Sequence, residues 1–268
     1  MRSLFFLYAA RVTSASFCTA AGWAVEWADE FSGDSLNLTN WAVANGTKEN
    51  DSMCRDAMCT TENVAVSGGH LRLTAKRESR AWASYTTGAV FSKDKRFWAA
   101  ADASPFRLCV SGVLPGTPQT GAGYWPAFWM MPNDESCWPS HGELDLMEEI
   151  NGDGVEHFTF HMNPSDKPCD GENLSEGGKL SIASMATQPH EYAVEVALGR
   201  FAFVVDGEVV FNSTSNSSIP VRDVPWYPIL NFAIGGPWPA PPNDATLFPV
   251  DTLVDYVRVS RPAAAAAT

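Results

Sequence analysis

The feature that most constrains this chain is hydrophobicity that repeats every second residue. In His70–Ala75, Leu71, Leu73 and Ala75 share one face, and in Phe106–Leu114 the face is Phe106, Leu108, Val110 and Leu114. In 157–162, Phe158, Phe160 and Met162 point one way and His157, Thr159 and His161 the other. Tyr192, Val194, Val196 and Leu198 alternate again. Phe201–Val205 then meets Asp206-Gly207 before Val209 and Phe211, a hairpin signal because this dipeptide tolerates the positive φ of a tight turn. Near the end, Val254, Tyr256 and Arg258 alternate with Asp255, Val257 and Val259. A run of period two buries one face of a strand and does not match the 3.6-residue period of a helix. No sustained helical period occurs, apart from a turn around Leu180–Met185. Gly (20) and Pro (18) break the runs into short pieces, so the expected fold is an all-β sandwich or jelly roll.

The most informative strand is 141–150, His-Gly-Glu-Leu-Asp-Leu-Met-Glu-Glu-Ile. Alternation puts Glu143 and Asp145 on one face and Leu144 and Leu146 on the other. Strict register places Met147 beside the acids. If Met147 is an inserted bulge residue, the register slips by one and Glu148 rejoins the acidic face. At about 3.3 Å per step the two Glu backbones stand roughly 13 Å apart, and each side chain can lean toward the other. A carboxylate gap of about 5–5.5 Å is attainable, the separation of a glycosidase that works through a covalent intermediate. Asp145 between them repels both anions and helps the trio hold a proton near neutral pH. The competing readings are a solvated acidic strand, which does not explain acids crowded among aromatics, and a Ca²⁺ site, which favours loops rich in carbonyl oxygens.

Gly142-Glu-Leu-Asp-Leu-Met-Glu148 resembles the signature of glycoside hydrolase family 16 in its bulged E-x-D-x-x-E form, the form of laminarinase-like endo-β-1,3-glucanases. The resemblance extends through Trp27–Phe31 with Trp41, Asn63–Leu73, Trp125–Pro132, Leu230–Trp238 and Val254–Val259, in the family's order, over roughly residues 25–260. It implies a concanavalin A-like jelly roll of two curved antiparallel sheets. It implies Glu143 as nucleophile, Glu148 as general acid/base and Asp145 as the residue that positions and tunes Glu143, with no catalytic cofactor. Trp125, Trp129, Trp138, Trp238, His161 and Asn63 become candidate substrate contacts, since indole rings stack on the apolar faces of sugars. Some members hold a structural Ca²⁺, and Asp255 and a backbone carbonyl at Gly69 match two of its ligands. Where many relatives carry an arginine after the cleft-strand glycine, this chain has Gly88-Ala89, and a subsite contact is expected to be missing. The implied substrate is β-1,3- or mixed β-1,3/1,4-glucan. The alternatives are a transglycosylase or hydrolase of another β-linked polysaccharide, and a non-catalytic β-glucan-binding protein, which typically loses one or both glutamates.

The 268 residues carry no internal repeat or linker between 22 and 261, so one domain is expected there. A net charge of −13 without a basic stripe argues against nucleic acid and anionic membrane surfaces as partners. No apolar run reaches the roughly 18 residues of a membrane span. A monomer is expected. Arg2, the apolar Leu4–Ala10 and small residues around Cys18–Ala21 resemble a secretory signal cleaved near Ala20 or Ala21, with Arg11 as an interruption. Residues 262–268 read as a tail. Sequons at Asn37, Asn45, Asn173, Asn212 and Asn216 fit a secreted or cell-wall glycoprotein. Of the six cysteines, Cys18 would leave with the signal. Cys54 and Cys59 are placed to close on each other, Cys137 and Cys169 to pair across the fold, and Cys109 reads as a buried free thiol. No C-x-x-C spacing suggests zinc.

Overall fold

A computed structural model describes residues 16–100, 104–163, 173–213 and 221–264. Two eight-stranded sheets dominate. In the first, the strands run in the order Glu208–Asn212, Arg200–Val205, His190–Ala197, Phe106–Val113, Val250–Pro262, His70–Ala75 and Val64–Ser67, with Trp23–Asp29 also paired to Val250–Pro262. In the second, the order is Leu174–Ser181, Val155–Met162, Glu143–Glu149, Tyr124–Pro132, Pro225–Ile234, Ala89–Phe91 and Ala42–Val43, with Trp98–Ala99 against Pro225–Ile234. All these pairings are antiparallel, which lets each sheet bury one face and turn the other outward. This is the expected jelly-roll sandwich.

The period-two pattern decides which face is which. Along Val155–Met162, Phe158, Phe160 and Met162 are buried, while His157, Thr159 and His161 remain partly exposed on the opposite face. The inward residues of the two sheets meet in one apolar core: Phe160 lies 4.9 Å from Phe201, Phe158 5.5 Å from Phe203, and Phe128 6.0 Å from Tyr192, ring centre to ring centre. Each buried aromatic of this kind stabilises the fold by about 1.5–3 kcal/mol over its exposed state. The hairpin at Asp206-Gly207 forms as read, with φ of 50° and 86° at the two turn residues. This fixes the face of Arg200–Val205 that meets the core.

Three sequence expectations change here. Cys109 is not a free thiol: it is disulfide-bonded to Cys18, 91 residues earlier. The segment around Cys18, assigned above to a cleaved leader ending near residue 21, is packed on the first sheet. Phe17 donates its backbone N–H to Glu191, and the Arg107 guanidinium lies 3.6 Å from the Phe17 ring and 3.7 Å from that of Trp23. The last strand also continues to Pro262, opposite Trp23, so the tail starts later than expected. Cys54 and Cys59 are bonded to each other as expected. Cys137 is disulfide-bonded too, and its expected partner Cys169 lies outside the described residues. Among the described residues no helix is long and apolar enough to cross a membrane.

Candidate active site

The acidic strand Glu143–Glu149 sits inside the second sheet, between Val155–Met162 and Tyr124–Pro132. Gly142 enters it at φ 104°, and a Cβ there would come within 2.7 Å of Phe160 and 2.9 Å of Trp226, so only glycine fits this turn. The expected bulge is present. Trp129 is opposite Asp145 and Phe128 opposite Met147, which leaves Leu146 without a partner on that side. On the other side Glu143 faces His161, Asp145 faces Thr159 and Glu148 faces His157, with the register slipping between Asp145 and Glu148. The extra residue sends both Leu146 and Met147 into the core and brings Glu148 round to the face of Glu143 and Asp145.

Neighbouring strands and loops enclose the three carboxyls. One oxygen of Glu143, one of Asp145 and a ring nitrogen of His161 lie within 4.8 Å of one another. His161 Nε2 is 3.4 Å from Asp145 Oδ2, and Asn173 Nδ2 is 3.1 Å from His161 Nδ1. Asn173 Oδ1 also lies 3.3 Å from Nδ1, so the amide caps that nitrogen while Nε2 faces Asp145. The sequon residue Asn173 is therefore engaged at the site. Trp125 donates its indole N–H to Glu148 Oε1 at 2.9 Å, and Trp129 donates to Asn231 Oδ1 at 2.7 Å. The Trp138 ring lies 6.0 Å from that of His161. Trp238 packs edge-on against Trp125 at 5.5 Å and His157 at 4.8 Å.

Electrostatics favour retained protons. Burial raises the proton affinity of Glu143 well above the usual carboxylate range, and Asp145 and Glu148 raise it further, against the opposing pull of His161 and Trp138. Asp145, 3% exposed, is raised well above its usual range by burial and then by Glu148. Glu148 is raised by burial and drawn back by the Trp125 N–H, His161 and Arg55. Carboxyls this close titrate as a unit, so the trio keeps at least one proton where isolated carboxyls have none. One ionised and one protonated carboxyl can therefore face the same cleft.

The predicted residues divide into groups. Glu143, Asp145, Glu148, Trp125, Trp129, Trp138, His161 and Trp238 come together. Only Trp138 (49% exposed) and Trp238 (40%) offer open ring faces, while Trp125 and Trp129, each 9% exposed, serve as walls that hold polar partners by their N–H groups. Asn63 does not join them: it is buried, and its amide donates to Thr86 Oγ1 at 2.8 Å. Asp255 lies at a bulge in Val250–Pro262 and Gly69 in the turn before His70–Ala75, both on the other sheet. Ca²⁺ takes about six to eight oxygens, and these positions supply two, so they do not by themselves fit a calcium ion.

Sequence reasoning missed three participants. Asn231 bridges Trp129 to the backbone carbonyl of Met53, to which its amide donates at 2.8 Å. Arg55 reaches in from the same loop and lies 4.8 Å from the Trp125 ring centre. A pocket of about 160 Å³ beside Trp138 is lined by Lys93, Met131, Asp134, His141 and Tyr227 among others. Ala89, noted above as a departure, is buried against Cys54 and Cys59.

A jelly roll with a bulged strand of three carboxyls on its open face, walled by indoles, defines a glycoside hydrolase. The model of the XgeA-like catalytic domain of glycoside hydrolase family 16 matches residues 113–194. A β-glucanase of Rhodothermus marinus is 27% identical over 90% of this chain and 86% of its own length. The structure of an endo-β-1,3-glucanase from Pyrococcus furiosus superposes with a TM-score of 0.74 at 26% identity, covering 91% of this chain and 96% of that one. A keratan-sulfate endo-1,4-β-galactosidase of Sphingobacterium multivorum is 33% identical over 52% of this chain and 33% of its own. Over residues 113–194 the chain is similar to the catalytic domain of glycoside hydrolase family 16.

Proposed function

We propose that this protein is an endo-acting hydrolase of β-1,3- or mixed β-1,3/1,4-glucan that works by double displacement with retention. The observation that carries the reading is the bulge, which lines up Glu143, Asp145 and Glu148 on one face. Glu143 attacks the anomeric carbon as Glu148 protonates the departing sugar oxygen, and a glycosyl ester forms on Glu143. Glu148, now ionised, takes a proton from water, and that water releases the sugar with its original anomeric configuration. Asp145 holds and tunes Glu143, and His161 supports Asp145. Trp138 and Trp238 provide ring faces for sugar units on the two sides of the trio. The chemistry asks for no cofactor, and one chain supplies every residue, in keeping with a working monomer.

The β-glucanase relatives support glucan as the substrate. The keratan-sulfate galactosidase supports a second reading, a β-linked galactan, on the same machinery. A non-catalytic binding role is disfavoured because all three acids are present. Secretion is supported by the disulfides. We place any leader cleavage before residue 16, because cleavage near Ala20 would separate Cys18 from Cys109.

Hydrolysis of laminarin, lichenan, xyloglucan, agarose and keratan sulfate, followed by product sizing, tests this. Short oligosaccharides of mixed length from laminarin or lichenan are expected. Cleavage confined to agarose or keratan sulfate would replace glucan by galactan.

A further inference from the structure

The segment 50–59 is pinned at several points. The Cys54–Cys59 disulfide closes it, the Asp56 N–H donates to the Ile234 carbonyl at 2.9 Å, and Asp56 Oδ2 accepts from the Gly236 N–H at 2.9 Å. Between these anchors Arg55 adopts φ 56°, the left-handed region that a non-glycine residue enters only where its surroundings hold it. The backbone thereby turns the side chain back over the sheet. Its aliphatic stem lies over Gly236, where an added Cβ would meet Arg55 Cγ at 3.1 Å, and its guanidinium comes 4.8 Å from the centre of the Trp125 ring. Trp125 in turn donates to Glu148 at 2.9 Å. Arg55 Nε is buried and makes no hydrogen bond among the described residues. A left-handed backbone residue that carries a guanidinium with an unbonded Nε onto the ring holding one acid is costly for stability alone.

We propose that Arg55 is a positioning residue for Glu148: the disulfide-closed loop presses its guanidinium on Trp125, and this clamp fixes the indole N–H that orients the Glu148 carboxyl for proton delivery. The contact is a cation–π interaction in a partly buried setting, where such contacts are stronger than in water. The charge acts in the same direction as the geometry, favouring the ionised Glu148 that must form when the proton leaves. The groups facing Glu148 are Arg55 and Trp125 on one side, His157 and His161 on the adjacent strand, and Glu143 and Asp145 on its own. This assignment rests on Glu148 being the proton donor.

The test compares Arg55→Met, which keeps the stem and removes the charge, with Arg55→Lys, which keeps the charge and loses the planar stack. With laminarin as substrate, Arg55→Met is expected to lower kcat by at least about 5-fold, within the range a general acid contributes, at nearly unchanged KM. The alkaline limb of its pH–rate profile should move to higher pH, and Arg55→Lys should restore that limb without restoring full kcat. A wild-type kcat and an unmoved limb in a folded Arg55→Met protein would overturn the proposal. Carbon-13 NMR titration of the Glu148 carboxyl, assigned by its loss in Glu148→Gln, needs no turnover. If wild-type protein cleaves no β-glucan, the function proposed above fails. The titration then still decides whether Arg55 acts on Glu148: a raised Glu148 midpoint in Arg55→Met upholds the coupling, and an unchanged one rejects it.

Discussion

Glu143 and Glu148 have different surroundings. Glu143 is pushed up by burial, Asp145 and Glu148 and drawn back by His161 and Trp138, while Glu148 is pushed up by burial and drawn back by the Trp125 N–H, His161 and Arg55. Glu143→Gln and Glu148→Gln should each lower laminarin hydrolysis by about 10²–10⁴-fold while binding persists, measured as initial rates and by calorimetry. Azide should rescue Glu148→Gln on a substrate with an activated leaving group, because the first step then needs no acid. It should not rescue Glu143→Gln in the same way. The open ring of Trp138 predicts that Trp138→Ala raises KM for long oligosaccharides several-fold, since a stacked ring contributes about 1 kcal/mol. An unchanged KM would place Trp138 outside the substrate path.

At the level of the element, the acidic face depends on how one surplus residue is absorbed. Deleting Met147 should restore plain alternation, which keeps Glu148 on the face of Glu143 and Asp145 about 3.3 Å closer along the strand, so laminarin hydrolysis should fall through the altered carboxyl spacing and not through loss of Glu148 from the cleft. Gly142→Ala should lower Tm by several degrees, because its Cβ would overlap Phe160 and Trp226 at the strand's entry. This strand was legible in the sequence because alternation and its single break are local signals. Leu71, Phe106, Phe158 and Phe160 were placed in the core for the same reason. The order of strands in each sheet was not legible, since pairing between distant segments leaves no periodic trace. Arg55 escaped because it lies in a short polar loop, where a left-handed residue and a disulfide set the side chain's direction and no pattern reports it. Asn63 misled because a polar residue beside a strand looks alike whether it lines a cleft or bonds Thr86 inside the fold.

Across the whole molecule, stability couples to pH through acids that the proposed reaction does not use. Glu149 and Glu156 are buried opposite each other on adjacent strands, and burial pushes them up to about 8 and about 9. Both bind a proton in the folded chain at pH values where the unfolded chain, near 4.5, has released it. Their stabilising contribution is complete below about pH 4.5 and is lost as pH rises through about 8 and 9, at about 1.4 kcal/mol per unit for each group. Urea midpoints should therefore fall between pH 5 and 9, and Glu156→Gln should flatten that slope; an equally steep slope in the variant would remove Glu156 from the account. The Cys18–Cys109 bond ties the N-terminal segment to the strand Phe106–Val113, so Cys18→Ser should destabilise the chain by about 2–5 kcal/mol. It was unreadable in advance because the segment around Cys18 has the composition of a leader. The central claim is that this folded frame forms a glycosyl ester on Glu143, and it is tested most directly on the intact protein. A 2-deoxy-2-fluoro β-glucosyl oligosaccharide with an activated leaving group should add one glycosyl mass to the chain, and peptide fragmentation should place it on Glu143. An unmodified chain that still turns over laminarin, or an adduct mapped to another residue, would contradict it.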